Sequence, residues 1–150
     1  MSTLDSEVWV PCPLPEVFNF FSDARNLARL TPEWIDFSIL TPCPVEMRVG
    51  ALIKYRLKIH GILLGWLTEI TSWEPPYRFV DVQRRGPYRL WVHEHRFAPS
   101  NGGTLVTDHV RYAVWGGTVT DRLFVRGDVK RIFDFRREKI VELFGTPAAM

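Results

Sequence analysis

Within residues 78–112 the chain passes through three stretches, 78–83, 89–98 and 104–112, in which aromatic and titratable residues recur at every second position. A period of two belongs to the β-strand, whose side chains point alternately to opposite faces. Between the last two stretches stands Asn101-Gly102, the residue pair that a two-residue hairpin turn demands. Such a turn sets Ser100 opposite Gly103, His95 opposite Asp108 and Trp91 opposite Tyr112. One face of the hairpin then carries Trp91, His93, His95 and Phe97 from one strand and Val106, Asp108, Val110 and Tyr112 from the next. Large rings around a few polar groups are what a lined pocket requires.

The flanking sequence supplies the other layers. Residues 7–10 alternate as a short first strand and end at Pro11-Cys12-Pro13. Helical spacing follows, with Pro15 suited to a first helical position, Val17, Phe18 and Phe21 on one stripe, and Ser22-Asp23 offering a cap for a second short helix that stops at Pro32. Extended spacing returns at 36–40 and at 51–60, where Ile53, Tyr55, Leu57 and Ile59 alternate with Lys54, Arg56 and Lys58. A turn at His60-Gly61 leads to a strand through Trp66, Thr68 and Ile70, which Glu74-Pro75-Pro76 ends. After Trp115-Gly116-Gly117 a helical pattern runs over about 120–144, with Gly127 as a weak point that could split it. Its apolar stripe holds Val129, Ile132, Phe133, Ile140, Leu143 and Phe144, while Arg126, Lys130, Arg131, Arg137 and Lys139 lie mostly elsewhere. Strand, two helices, six strands and one long helix make an α+β domain over residues 1–150.

A chain of 150 residues can bury a sizeable core without disulfides or structural metal. Its formal charge of +2, with bases interleaved among acids, argues against nucleic acid as a partner. Cys12 and Cys43 each sit between prolines without metal-ligand spacing, as isolated thiols of a reducing, cytoplasmic setting do. The longest apolar stretch, 62–67, falls far short of the ~20 residues of a membrane span, so membrane insertion is not expected.

The segments Phe79-Val80-Asp81-Val82-Gln83, Gly86-Pro87-Tyr88 and Trp91-Val92-His93-Glu94-His95, in this order of elements, resemble the START-like superfamily, also called SRPBCC or Bet v 1-like. The likeness is to a bacterial subgroup of polyketide cyclase/dehydrase-like proteins, and Asp23, Asn26-Leu27, Thr31-Pro32, Gly103-Thr104, Asp108, Ile132-Phe133 and Arg136 match it too. The resemblance implies a helix-grip fold, a curved antiparallel sheet of about seven strands wrapped around the C-terminal helix, with a cavity for an apolar ligand. It also implies a possible partner enzyme, since related domains occur fused to sugar-nucleotide epimerases. The exposed bases around Arg126, Lys130 and Arg137 would be the docking face. At Ala113-Val114-Trp115 the chain departs from the proline-bearing segment of the pattern.

Tyr55, Trp66, Phe79, Gln83, Trp91, Phe97, Val110, Tyr112, Ile132 and Phe133 are the candidate ligand contacts, aromatic or apolar groups on the faces that would meet. His93, His95, Asp108 and Asp81 are the candidate catalytic groups. Asp81 and Gln83 join the histidine face only if the link before Tyr88 has odd length, as a left-handed Gly86 would allow, with Phe79 then opposite Trp91. Asp81 would alternatively pair with Arg89. Three readings of the His-x-His pair and its carboxylate stay open: acid–base or orienting work on a ligand, a metal site, and satisfied polar groups that anchor a sheet. The metal reading lacks an obvious fourth ligand, and neither metal nor another cofactor is expected. Asp108 opposite His95 should raise the histidine pKa, and burial should lower it.

Overall fold

The computed structural model describes residues 1–145. Seven strands form one antiparallel sheet in the order β1-β7-β6-β5-β4-β3-β2: β1 Ser2–Val10, β2 Ser38–Ile39, β3 Leu52–Ile59, β4 Ile62–Glu74, β5 Arg78–Arg85, β6 Leu90–Ser100 and β7 Gly103–Ala113. Two short helices, α1 Leu14–Phe21 and α2 Ala24–Arg29, follow β1, and α3 Gly117–Thr120 runs through a π-type turn at Asp121–Val125 into α4 Arg126–Phe144. The helix-grip architecture expected of the sequence is present.

Local chemistry explains the boundaries. Pro15 lies in the first turn of α1, and the Asp23 side chain accepts from the Arg25 backbone N–H to cap α2. His60 (φ 51°) and Gly61 (φ 79°) turn the chain between β3 and β4, as Asn101 (φ 47°) and Gly102 (φ 79°) do between β6 and β7. The first strand is longer than the 7–10 expected, because its polar beginning is held at the sheet edge by the ladder from Ser2↔Tyr112 onward. The strand expected over 36–40 shrinks to two residues, since Glu33–Ile35 forms a 3-10 turn that Asp36 ends in the left-handed region at φ 50°. The helix does not break at Gly127; its irregularity is the π-type turn just before α4.

Sheet and helix meet through the alternation. On α4 the buried positions are Val129, Phe133, Arg136 and Ile140, a helical stripe with one charge in it. Val129 and Phe133 pack with Val110, Tyr112 and Val114, while Ile140 joins Val8, Val10 and Val106. Phe18 of α1 lies against Trp73, Phe79 and Phe97 with ring centroids 5.3–5.9 Å apart. The opposite face of the sheet is ionic: Glu94 accepts from Arg78 at 2.7 Å and from Arg96 at 2.9 Å. The Arg96 guanidinium, with Arg78 beside it, outweighs the upward push of burial and holds the Glu94 carboxyl down at about 2.

Candidate functional site

Between the inner face of the sheet, α2 and α4 lies a cavity of about 180 Å³. Its walls are mostly apolar: Ile53, Tyr55 and Leu57 from β3, Trp66 and Ile70 from β4, Leu27 from α2, Ile35 and Phe37 after it, and Ile132 and Phe133 from α4. Asp81, His93, His95 and Arg136 gather on the wall formed by β5, β6 and α4, with Phe79, Tyr88 and Trp91 around them.

This polar wall follows from sheet register. Asp81 stands opposite His93 and Phe79 opposite His95, and across the next ladder His95 stands opposite Asp108 and His93 opposite Val110. The hairpin register is the one the Asn101-Gly102 turn dictates. That of β5 and β6 differs by four residues from the Phe79–Trp91 pairing expected, because Gly86 is nearly extended (φ 159°) and the link is longer than a tight turn. A shift of four keeps the parity, so Asp81 still faces the histidines. Arg89 is exposed, and Asp81 is bonded to His95, not to Arg89.

The hydrogen bonds run diagonally across the ladders. His93 Nε2 lies 2.8 Å from Asp108 Oδ1, and His95 Nε2 lies 2.5 Å from Asp81 Oδ2. The directly opposite pairs are longer, His95 Nδ1 to Asp108 Oδ1 at 3.6 Å and His93 Nδ1 to Asp81 Oδ2 at 3.9 Å. The expected His95–Asp108 hydrogen bond is therefore replaced by His93–Asp108. The two imidazoles stack at 3.7 Å between centroids, and the free face of the pair on the His95 side is covered by Phe79 at 4.1 Å. Behind them Arg136 donates from Nε to Asp108 Oδ2 and from Nη2 to Asp108 Oδ1, both at 3.3 Å. His93, His95, Asp108 and Arg136 are all buried, and among the described residues His95 Nδ1 has no hydrogen-bond partner.

Burial, with His93 close by, outweighs both carboxylates and pushes His95 down to about 4, so desolvation wins the contest the sequence posed. For Asp108, burial pushes upward but the Arg136 guanidinium and the His93 hydrogen bond prevail, leaving the carboxyl well below its usual range. Asp81 is also lowered, burial being outweighed by the bond from His95. Burial, reinforced by the Asp81 charge, raises the Tyr55 phenol strongly and keeps it neutral.

Among the candidates named from sequence, Tyr55, Trp66, Phe79, Asp81, Trp91, His93, His95, Ile132 and Phe133 border the cavity. Gln83, Phe97, Val110, Tyr112 and Asp108 do not. Gln83 folds back on its own link, donating to the Tyr88 carbonyl at 2.7 Å and accepting from the Tyr88 N–H at 3.1 Å. Phe97 is covered by α1, where it meets Phe18 and Phe21. Val110 and Tyr112 lie under α4, and Asp108 stands behind His93 and Arg136. From sequence Arg136 stands out only as a residue matching the family pattern. Its sequence signal is a cation on an apolar helical stripe, which must find a buried partner. Thr68, buried and accepting from Trp66 Nε1 at 2.9 Å, was also missed as a cavity residue.

A family model described as "Polyketide cyclase / dehydrase and lipid transport" matches residues 10–135. The chain belongs to this family. Among solved structures, a protein from Chromobacterium violaceum is 15% identical, with 98% of this chain and 100% of that one covered at a TM-score of 0.76. Ginseng major latex-like protein 151 from Panax ginseng is 12% identical, covering 95% and 97% at 0.68. A nucleoside-diphosphate sugar epimerase from Corynebacterium glutamicum is 23% identical and covers 93% of this chain but 28% of the epimerase, at 0.66. At such identities the likeness shows the fold, that of the SRPBCC or Bet v 1-like superfamily. No curated protein matches the sequence. Membership of a family described by polyketide cyclase/dehydrase and lipid transport supports binding of a hydrophobic ligand in general. Among the described residues no helix is long and apolar enough to cross a membrane.

Proposed function

We propose that the chain, as one domain, binds a single small and largely apolar molecule, aromatic or lipid-like, between the sheet and α4, in a reducing, cytoplasmic setting. The observation that carries this reading is the cavity of about 180 Å³, apolar on most sides with polar groups converging on one wall. Size narrows the ligand. An apolar cavity of roughly 150 Å³ holds benzene, so one ring fits within these walls and a longer molecule must reach through the mouth. Native mass spectrometry of freshly purified protein, followed by titration with an uncharged fluorescent aromatic probe, tests the reading. A co-purifying molecule or saturable 1:1 probe binding supports it, and the absence of both overturns it.

A second reading, a cyclase- or dehydratase-like enzyme, is favoured by one further observation. His95, on the polar wall of the cavity, keeps a buried ring nitrogen that has no hydrogen-bond partner among the described residues, a feature that apolar binding does not need. In that role His95 moves a proton and Asp81 orients the ring, while Asp108 holds His93. His95→Ala separates the two readings: a binding protein keeps probe affinity within about tenfold, whereas an acid–base enzyme keeps binding and loses ~10²–10⁴ in turnover.

A further inference from the structure

We infer that Asp81, His93 and His95 form a binding site for a divalent transition-metal ion, with Asp81 Oδ2, His93 Nδ1 and His95 Nε2 as its ligands and the remaining coordination positions open to the cavity. One ring nitrogen from each histidine and one Asp81 carboxylate oxygen lie within 4.8 Å of one another. A metal with bonds of about 2.0–2.2 Å needs donors roughly 3–3.5 Å apart. The present separations from Asp81 Oδ2, 2.5 Å to His95 Nε2 and 3.9 Å to His93 Nδ1, bracket that distance.

The surroundings are those of a metal site. A metal-bound histidine characteristically donates its other ring N–H to a carboxylate, which fixes tautomer and orientation. Asp108 already does this for His93 at Nε2, leaving Nδ1 turned toward Asp81. His95 is the telling case. With its Nε2 hydrogen donated to Asp81, its Nδ1 lone pair faces the Asp108 carboxylate at 3.6 Å with no hydrogen-bond partner among the described residues. Coordination through Nε2 moves that hydrogen to Nδ1 and turns this unfavourable approach into a second N–H pointing at Asp108. Both histidines then lean on one carboxylate, itself held by Arg136. The charges agree: two carboxylates and one guanidinium leave one negative charge in the cluster, and Asp81 is the carboxylate that faces the cavity. Two imidazoles and one carboxylate with open positions suit zinc or iron(II). Water or the polar end of a ligand supplies the fourth position that the sequence left empty.

The test uses the full chain, stripped with chelator and titrated with cobalt(II) and zinc, reading cobalt absorption in the visible, stoichiometry by calorimetry, and the melting temperature. One equivalent should bind, zinc should displace cobalt, and the melting temperature should rise. Asp81→Asn and His95→Gln should each abolish the cobalt spectrum in protein that still folds by circular dichroism, and Asp108→Asn should weaken affinity by about 10–100-fold. The double variant His60→Ala, His109→Ala removes the two exposed histidines, which pair with Asp128 and Asp5, and should change nothing. Absence of stoichiometric binding, or binding that survives Asp81→Asn and His95→Gln, or binding lost in the double variant, overturns the inference. Probe binding by metal-free protein is measured separately, so failure here leaves the apolar-ligand reading to its own test.

Discussion

Arg136→Met removes the one buried cation of the site while keeping a stem of similar length against Phe21, over whose ring the guanidinium lies at 5.3 Å. Two N···O contacts of 3.3 Å to Asp108 place the charge centres about 4 Å apart, where an effective dielectric of about 20 gives an attraction of ~4 kcal/mol. Removing one member of a buried pair costs about 3–5 kcal/mol because the other is left buried and charged. The same change in an Asp108→Asn background should therefore cost less than ~1 kcal/mol. The pH dependence has a definite sign. In the parent the depressed Asp108 pKa contributes stability above the unfolded carboxyl value, and this is lost as pH falls through the lower folded one. Without Arg136 the His93 hydrogen bond and the histidines alone oppose burial, so the carboxyl rises, and the deficit is largest near neutrality and shrinks toward acid. Urea unfolding of the four proteins of the cycle at pH 7 and pH 5 measures this. An equal cost of Arg136→Met in both backgrounds refutes the reasoning, since it makes the loss one of packing.

His95, pushed down to about 4, has the opposite partner problem: the unfolded chain takes up the proton first, near 6.5. Stability is full above about 6.5 and falls as pH drops to about 4, by ~3 kcal/mol in all. His95→Gln in chelator-treated protein should flatten that limb of a stability–pH curve, and an unchanged slope rules out the buried neutral ring. Thr68→Val keeps the shape but removes the acceptor of Trp66 Nε1, so urea unfolding should show a loss of about 1–3 kcal/mol. No loss would mean that the indole N–H is satisfied by water.

The register of β6 against β7 was legible because Asn101-Gly102 permits one tight geometry, and the ladder it sets holds from Ser100↔Gly103 to Leu90↔Ala113. The link between β5 and β6 carries no such constraint. Its ladder ends at Val82↔Val92, and Gln83 clasps the Tyr88 backbone across a longer connection. Parity survived the four-residue difference, so the face of Asp81 was readable and its partner was not. The diagonal hydrogen bonds were beyond reach for a different reason. Both Asp81 and Asp108 lie within reach of both stacked rings, and side-chain rotation decides which bond forms.

Alternation says which residues point inward but not what they meet there. His93, Phe97, Val110 and Tyr112 share the inner face, yet His93 borders a void while Phe97 lies beneath α1 and Val110 and Tyr112 beneath α4. The difference is set by where the helices cross the sheet, a long-range matter that a period of two does not encode. The helix stripe had more to say. A buried position on α4 occupied by Arg136, between Phe133 and Ile140, demands an anion on the facing sheet, and the inward carboxylates are Asp81 and Asp108. Of these, the one deeper in the fold, Asp108, takes the guanidinium. The carboxylate that borders the cavity is thereby left to the histidines, and to whatever cation or proton the cavity admits.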